Sequence, residues 1–177
     1  MAERLIIIDG YNVIHRSPSL RPSEDRTLAQ SREKLISLLA WAVGGGEAQF
    51  LVVFDGAEGV WPDERTSRVE VMFSRPPKTA DDVIRGLVEA RVDRVERVTV
   101  VTSDLEVARH ARGIGADIAL SDLFLASILP PKPSEPGEKP VTLSKREVEQ
   151  WAEIFRAPRP GDGRRVNGET DEPAPDS

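Results

Sequence analysis

The sequence contains no cysteine and only two histidines among its 177 residues. Without cysteine the chain cannot form disulfides, thiolate zinc or iron–sulfur sites, or a thiol nucleophile. His15 and His110 are too few for a histidine-rich metal site. Any metal ion that this chain binds must therefore be held largely by oxygen atoms.

Long hydrophobic runs are absent as well. The chain shows no basic leader followed by an apolar stretch and a cleavage site, and no segment approaches the length of a membrane span. We therefore expect a soluble, cytoplasmic protein without membrane partners. The net charge is −6, which disfavours nonspecific coating of nucleic acid. It does not exclude a nuclease, because carboxylates that hold a divalent metal ion attract phosphate.

Apolar runs and amphipathic segments alternate along the chain. The apolar runs are short, rich in Val and Ile, and nearly continuous, which is typical of strands buried on both faces of a parallel sheet. The predicted strands are residues 5–9, 50–55, 69–74, 98–104 and 116–120. The predicted helices are residues 27–43, 80–93, 104–112 and 121–129, the last capped by Ser121. This alternation predicts a doubly wound α/β fold with about five strands, mostly parallel, flanked by helices.

A proline-rich stretch, a helix and a polar tail are predicted after residue 129. Five prolines between 130 and 140 indicate an extended connector. The next segment has a capping box and apolar residues at helical spacing, so it predicts an amphipathic helix that packs on the domain through Trp151 and Phe155. The last residues are almost free of apolar side chains, which predicts disorder. The expected organisation is a domain over 1–129, a connector over 130–141, a helix over 142–156 and a disordered acidic tail over 157–177.

Three predicted strands end on or beside an aspartate, namely Asp9, Asp55 and Asp104. Ligands of open parallel sheets bind outside the carboxyl ends of the strands, so the fold is expected to bring such residues to one edge. Asp81 and Asp82 open a predicted helix near the same edge, although a capping box from Thr79 would also explain that pair. Clustered carboxylates repel unless a cation neutralises them. Oxygen-only ligands point to Mg²⁺ or Mn²⁺.

An acid after the first strand also occurs in other folds, and the residues around Asp9 argue against them. "DGYN" stands in place of the G-x-G-x-x-G of a dinucleotide-binding domain, and no Walker A loop is present, so no nucleotide cofactor is expected. A haloacid-dehalogenase-type phosphatase has a second acid where this chain has Tyr11. A phospho-receiver domain has an aspartate at the end of its third strand, where this chain has Ser74.

Four short motifs follow one another in the chain: "IIIDGYNVI", "VVFDG", "TADDVI" and "VTVVTSD". In this order they resemble the NYN domain of the YacP type, a branch of the PIN-like ribonucleases. The resemblance covers roughly residues 4–156. It implies a Rossmann-like, PIN-like fold of three layers, an acidic cluster that binds Mg²⁺ or Mn²⁺, and endonucleolytic cleavage of RNA.

The resemblance also implies roles for individual residues. Asp9, Asp81 and Asp104 match the catalytic acids, with Asp82 beside them as a further metal ligand. Asp122 matches an additional acid of related domains, although capping of the next helix explains it equally well. The substrate-contacting positions implied are Asn12 and Ser103.

Several residues near the acids keep two interpretations. Asn12 is either an amide that orients Asp9 or donates to phosphate, or a plain turn residue or helix N-cap. Tyr11 either stacks on a base or belongs to the core. Asp55 is an outer acid or a turn residue, and His15 contacts substrate or lies on the surface.

A segment preceding the helix acids interleaves basic residues with one tryptophan, as a groove for single-stranded RNA would. Its acidic residues also allow an ordinary solvated loop. The candidate RNA contacts are Trp61, Arg65, Arg68, Arg75 and Lys78.

The sequence as a whole favours a metal-dependent endoribonuclease that acts on single-stranded RNA, in RNA decay or processing. The resemblance makes RNA the expected partner and the ribosome a candidate for presenting it. Two alternatives stay open: a non-catalytic RNA- or ribosome-binding module with the same fold, and a hydrolase of small phosphate esters.

Overall fold

The computed structural model describes residues 4–42, 48–56, 69–129, 143–157 and 160. This part of the chain forms five strands and six helices. The strands are β1 (Arg4–Asp9), β2 (Ala48–Phe54), β3 (Val69–Phe73), β4 (Arg97–Val101) and β5 (Asp117–Ala119). The helices are α1 (Gly10–Arg16), α2 (Leu28–Ala42), α3 (Ala80–Arg91), α4 (Leu105–Ile114), α5 (Ser121–Ile128) and α6 (Lys145–Arg156).

The five strands form one parallel sheet in the order β3-β2-β1-β4-β5. The chain winds outward from β1 through β2 to β3, and then crosses back to place β4 on the other side of β1. The point where the winding direction reverses therefore lies between β1 and β4, which is where ligands of such sheets bind. The predicted α/β fold, with a parallel sheet of about five strands between helices, is confirmed.

Helices cover both faces of the sheet. Leu5 and Ile7 of β1 belong to a core cluster that includes residues of α3, α4 and α6. Ile8, on the opposite face, belongs to a second cluster with residues of α1, α2 and α5. The apolar runs of the sequence are continuous because both faces of each central strand are buried in this way.

Helix α1 follows β1 without a loop and was not predicted. Asp9 is its N-cap residue, so Asn12 lies inside a helix, and its interpretation as a turn residue or N-cap is wrong. Gly10 is required at this junction, because a Cβ atom there would lie 2.3 Å from Cε1 of the buried Phe54. The close approach of α1 to β2 explains why a glycine follows the strand acid.

Two other local predictions are corrected by the structure. Strand β4 ends at Val101, so Asp104 lies beyond a short loop and not in the strand, and α4 extends to Ile114. Ser121 does not cap α5. The N-cap residue is Leu120, which makes no side-chain capping bond, and Ser121 is the first helical residue.

Helix α6 begins after Ser144, whose side chain forms a capping box with Glu147. Trp151 and Ile154 are each 5% exposed and join the core cluster of α3 and α4. Phe155 lies beside Trp151 but is 44% exposed. The prediction that α6 packs through Trp151 and Phe155 is therefore wrong for Phe155, and Ile154 is buried in its place.

The remaining C-terminal predictions concern segments that the structure mostly leaves undescribed. The connector at 130–141 lies outside the described residues, as does the predicted tail apart from residues 157 and 160. Within the described ranges, no helix has the length and apolar character needed to cross a membrane.

Candidate active site

Asp9 ends the central strand β1 at the switch point of the sheet. Side chains alternate along a strand, so Asp9 points to the same side as Leu5 and Ile7, where α3 and α4 pack. The residue is only 8% exposed. The hydroxyl of Thr102 donates a hydrogen bond to Oδ2 of Asp9, with a donor–acceptor distance of 3.3 Å.

Asp104 follows the neighbouring strand β4 and is the N-cap residue of α4. Its Oδ1 accepts hydrogen bonds from the backbone N–H groups of Glu106 (2.8 Å) and Val107 (3.3 Å). Its own N–H donates to Oγ1 of Thr102 at 3.0 Å. The fully buried Thr102 therefore bridges the two strand-end acids. The sequence did not predict a role for Thr102, although its place between the strand and the capping Asp104 is the signal that could have identified it.

The adjacent acids at the start of α3 are divided between two environments. Asp82 completes a capping box with Thr79, accepting from both its backbone N–H and its hydroxyl. These bonds lower the pKa of Asp82. Asp81 is half-buried, and its charge raises the pKa of Asp9. Of the pair, Asp81 is the residue that the fold directs toward Asp9.

The electrostatics show that the acids form one group. Burial, then the charge of Asp81, and to a smaller extent that of Asp104, raise the pKa of Asp9 to about 7, against the Thr102 hydroxyl and the Asn12 backbone N–H. Burial and the charge of Asp104 likewise raise the pKa of Asp81, while the positive charge of Arg85 lowers it. Burial is the largest cause of both pKa shifts, and the repulsion between neighbouring carboxylates adds to it.

Asp55 holds the start of α3 in place. Its Oδ1 accepts from the hydroxyl of Ser74 at 2.9 Å and from the backbone N–H of Ala80 at 2.8 Å. Asp55 also contributes to the raised pKa of Asp81. The hydrogen bonds of Asp55 thus fix the N-terminal end of α3, where Asp81 lies.

Asn12 connects three elements through one oxygen. Its Oδ1 accepts from the backbone N–H of Ser103 at 2.8 Å and from the hydroxyl of Ser121 at 2.9 Å. Oγ of Ser103 in turn accepts from the backbone N–H of Ser121 at 3.2 Å. Because a backbone N–H can only donate, these bonds fix which end of the Asn12 amide is the oxygen. The amide nitrogen makes no hydrogen bond to any described residue.

Comparisons with known proteins identify the family of this chain. The family model described as the YacP-like NYN domain matches residues 6–156. The chain belongs to the YacP-like NYN family. This family lies within the PIN-like ribonuclease superfamily, so the resemblance seen in the motifs is confirmed.

Relatives of this NYN chain are known from Bacillus subtilis. The uncharacterised protein YacP of strain 168 is 30% identical over 102 residues, which cover 56% of this chain and 60% of that protein. The match thus spans less than two thirds of that relative. A crystal structure of Rae1 (YacP) is similar with 27% identity and a TM-score of 0.60, covering 70% of this chain and 72% of that one. A mutant of the same protein gives 27% identity and a TM-score of 0.58, with 70% and 74% covered.

Tyr11 of the NYN domain faces away from the acids, toward the α2 side of the sheet. Its ring lies 4.9 Å from that of Phe54, between centroids, and its hydroxyl accepts from Nη1 of Arg32 at 3.0 Å. Tyr11 is half-buried in this packing, whereas His15, on the same helix, is exposed.

The other candidate residues are not drawn into the acid cluster. Asp122 is exposed in the first turn of α5 and is not among the main causes of the raised pKa values of Asp9 and Asp81. Arg75 and Lys78 are exposed in the turn that leads to α3, where the Lys78 N–H donates to the Arg75 carbonyl oxygen. The rest of the predicted RNA-contacting segment lies outside the described residues: Trp61, Arg65 and Arg68.

The donor set of the NYN site matches the chemistry of a hard cation. Asp9, Asp81 and Asp104 supply only oxygen atoms, and burial together with the neighbouring carboxylates raises the pKa values of Asp9 and Asp81. Nowhere in the described ranges do three or more His, Asp or Glu side chains already form a metal-binding group. Mg²⁺ is commonly held by one or two carboxylates while keeping several waters, so the residues present fit such an ion.

Proposed function

We propose that this NYN domain is a metal-dependent endoribonuclease that cleaves single-stranded RNA in the cytoplasm, in RNA decay or processing. The observation that carries this proposal is the electrostatically coupled group of Asp9, Asp81 and Asp104 at the switch point of the sheet. Membership of a PIN-like ribonuclease superfamily supports RNA as the substrate class.

Each acid is positioned before any substrate arrives. Asp104 accepts hydrogen bonds from two backbone N–H groups of α4. Asp81 lies in the first turn of α3, whose first backbone N–H donates to Asp55. Together with Asp9 they would hold Mg²⁺ or Mn²⁺, which when bound lowers the pKa of a water molecule and offsets charge on the phosphoryl oxygens. Asp82 and Asp122 remain weaker candidates for additional ligands.

The positions of the histidines indicate which ends the cleavage leaves. His110 lies 3.3 Å from Glu89, between α3 and α4, and His15 is exposed on α1. In the described part of the chain, neither imidazole forms a hydrogen bond with Asp9, Asp81 or Asp104, and the proposed chemistry needs no histidine because a bound metal ion would activate a water molecule. We expect hydrolysis with water as the nucleophile, giving 5′-phosphate and 3′-hydroxyl ends.

The test is cleavage of labelled RNA by the purified full chain with Mn²⁺, with Mg²⁺ and with EDTA. The substrates are a naked single strand and an mRNA engaged by ribosomes, since the ribosome is a candidate for presenting the RNA. We expect cleavage only with metal, and a loss of at least about 100-fold in Asp9→Asn, Asp81→Asn and Asp104→Asn.

Asp93→Asn is the matched control, because Asp93 is an exposed aspartate at the far end of α3. It should cleave as the wild type does. Cleavage in EDTA, or cleavage unchanged in the three acid variants, would refute the site. RNA binding without cleavage of either substrate would instead identify a non-catalytic RNA-binding module.

A further inference from the structure

Arg85 is a positive residue beside the acid cluster that the proposed function does not yet use. It lies in α3, about one helical turn after Asp81. Its Nε atom is buried and has no hydrogen-bond partner. Across the described ranges, its guanidinium forms neither a hydrogen bond nor an ion pair.

The residues on either side of Arg85 show where it points. Asp81, one turn before it, is coupled to Asp104 at the start of α4. Glu89, one turn after it, contacts His110 of α4 at 3.3 Å. Residues spaced in this way share one face of a helix, so Arg85 lies on the face of α3 that meets α4. Helical side chains lean toward the N-terminus, which directs the Arg85 guanidinium toward the acid cluster.

The bonding of Arg85 is incomplete. A buried donor without an acceptor destabilises a fold, and neighbouring carboxylates usually satisfy it. Here the charge of Arg85 lowers the pKa of Asp81, yet the two side chains form no ion pair. If Arg85 served only to neutralise the charge of Asp81, the two side chains would be expected to form a direct ion pair. Arg85 as a whole is only half-buried, so the other nitrogens of its guanidinium can meet an oxygen-rich anion next to the acids, and a guanidinium matches the geometry of phosphate.

We propose that Arg85 binds a backbone phosphate of the RNA strand, next to the phosphate that is cleaved. The inference rests on the proposed function, since it assumes that RNA enters this edge of the sheet. It adds a substrate-positioning residue on the α3–α4 side of the site, and it assigns the strand a path across the first turns of these two helices.

The test measures binding of a fluorescent single-stranded RNA to the full chain by anisotropy, in EDTA and at several salt concentrations. Removing one phosphate contact reduces the slope of log K against log salt by about 0.7 for a single strand. We expect this change, with an affinity loss of about tenfold, in Arg85→Ala and Arg85→Gln. Arg85→Lys should keep the slope and lose less affinity, because it keeps the charge.

Arg91→Ala is the matched control, since Arg91 is an exposed arginine at the other end of α3. It should leave the salt slope unchanged, and circular dichroism should show that all variants are folded. If wild type binds RNA but Arg85→Gln keeps the full slope, Arg85 has no phosphate contact and the proposed function stands. An equal loss in Arg91→Ala would also overturn the proposal. If wild type binds no RNA in EDTA, the phosphate contact of Arg85 is overturned, whereas the proposed function is decided separately by the cleavage test with metal.

Discussion

The fold disfavours the ionised form of Asp9. The residue is 8% exposed, and its two acidic neighbours add repulsion to the loss of hydration. A carboxylate in this position lowers the stability of the metal-free protein whenever it is ionised. This residue therefore links the ionisation of the site to the stability of the whole chain.

The pH dependence of stability follows from the raised pKa of Asp9. Its pKa is about 7 in the folded protein, and about 3.9 in an unfolded chain. Between these values the folded state holds a proton that the unfolded state has released, so stability falls as pH rises from about 4 to about 7. The loss is about 4 kcal/mol, and it stays constant at higher pH.

Asp9→Asn should remove this loss. We expect its melting temperature in EDTA to exceed that of wild type by roughly 8–16 °C at pH 8, and by little at pH 4. Differential scanning calorimetry across this range measures the difference. A gap between the two proteins that is the same at both pH values would show that Asp9 does not titrate in this window.

The Asp81–Asp82 pair should separate activity from stability. Asp81→Asn removes a charge from the acid cluster, so we expect at least about 100-fold less cleavage and an unchanged or higher melting temperature without metal. Asp82→Ala breaks the capping box with Thr79 and should lower the melting temperature while cleavage stays within a few-fold of wild type. RNA cleavage and calorimetry on both variants provide the measurement. The reverse pattern would place Asp82 in the site.

At the scale of elements, the site is built from the beginnings of helices. Asp9 is the N-cap residue of α1, Asp104 that of α4, and Asp81 lies in the first turn of α3. Helix N-termini carry partial positive charge, which favours nearby anions. The parallel sheet brings these ends to one edge, and their dipoles partly offset the repulsion among the acids.

At the junction between β1 and α1, position 10 should tolerate only glycine. Gly10→Ala would place Cβ 2.3 Å from a carbon of the Phe54 ring, and we expect a destabilisation of roughly 1–3 kcal/mol or more. Gly86→Ala is the control, because nothing lies within 4 Å of its added Cβ and alanine favours a helix interior by roughly 0.5–1 kcal/mol. Urea unfolding compares them. A tolerated Gly10→Ala would mean that α1 can move away from β2.

The sequence predicted strands and helices wherever the run of apolar residues was long enough to show a strand or helix pattern. The apolar runs identified all five strands, because strands buried on both faces leave an uninterrupted signal. Helix α1 was missed, since its seven residues are too few to show a helical period. Ser121 was misassigned as a cap because a serine before an apolar run is typical of one, whereas this hydroxyl bonds to Asn12, far away in the sequence.

The site was predictable only as a set of candidates. Strand-end acids are visible in the sequence because they follow apolar runs. The sequence cannot separate Asp81 from Asp82, since both suit the start of a helix and only packing decides which one faces the sheet. Thr102 was missed because its two bonds join residues on different strands.

At the scale of the whole molecule, the C-terminal helix α6 completes the core on the α4 side. Arg112 of α4 donates to the carbonyl oxygens of Phe155 and Ala157 at the end of α6, at 3.5 and 3.4 Å. Trp151 and Ile154 join a cluster that also contains Leu5 and Ile7 of β1. Helix α6 is therefore tied to the same core that supports Asp9.

Trp151→Ala should consequently destabilise the whole domain. A buried tryptophan contributes about 3–5 kcal/mol relative to alanine, and Trp151 is 5% exposed. Phe155→Ala is the matched aromatic control, since this residue is 44% exposed, and its loss should be below about 1 kcal/mol. Chemical denaturation gives both values. Equal effects would show that α6 rests on the domain through a different face.

The bonds to the Asn12 oxygen have a consequence for biosynthesis. Their donors, Ser103 and Ser121, lie 91 and 109 residues away along the chain, and Asp104 reaches Asp9 only after β4 has paired with β1. A growing polypeptide that still ends before β4 holds Asp9 without its partners. Assembly of the acid cluster must therefore wait until most of the domain has left the exit tunnel.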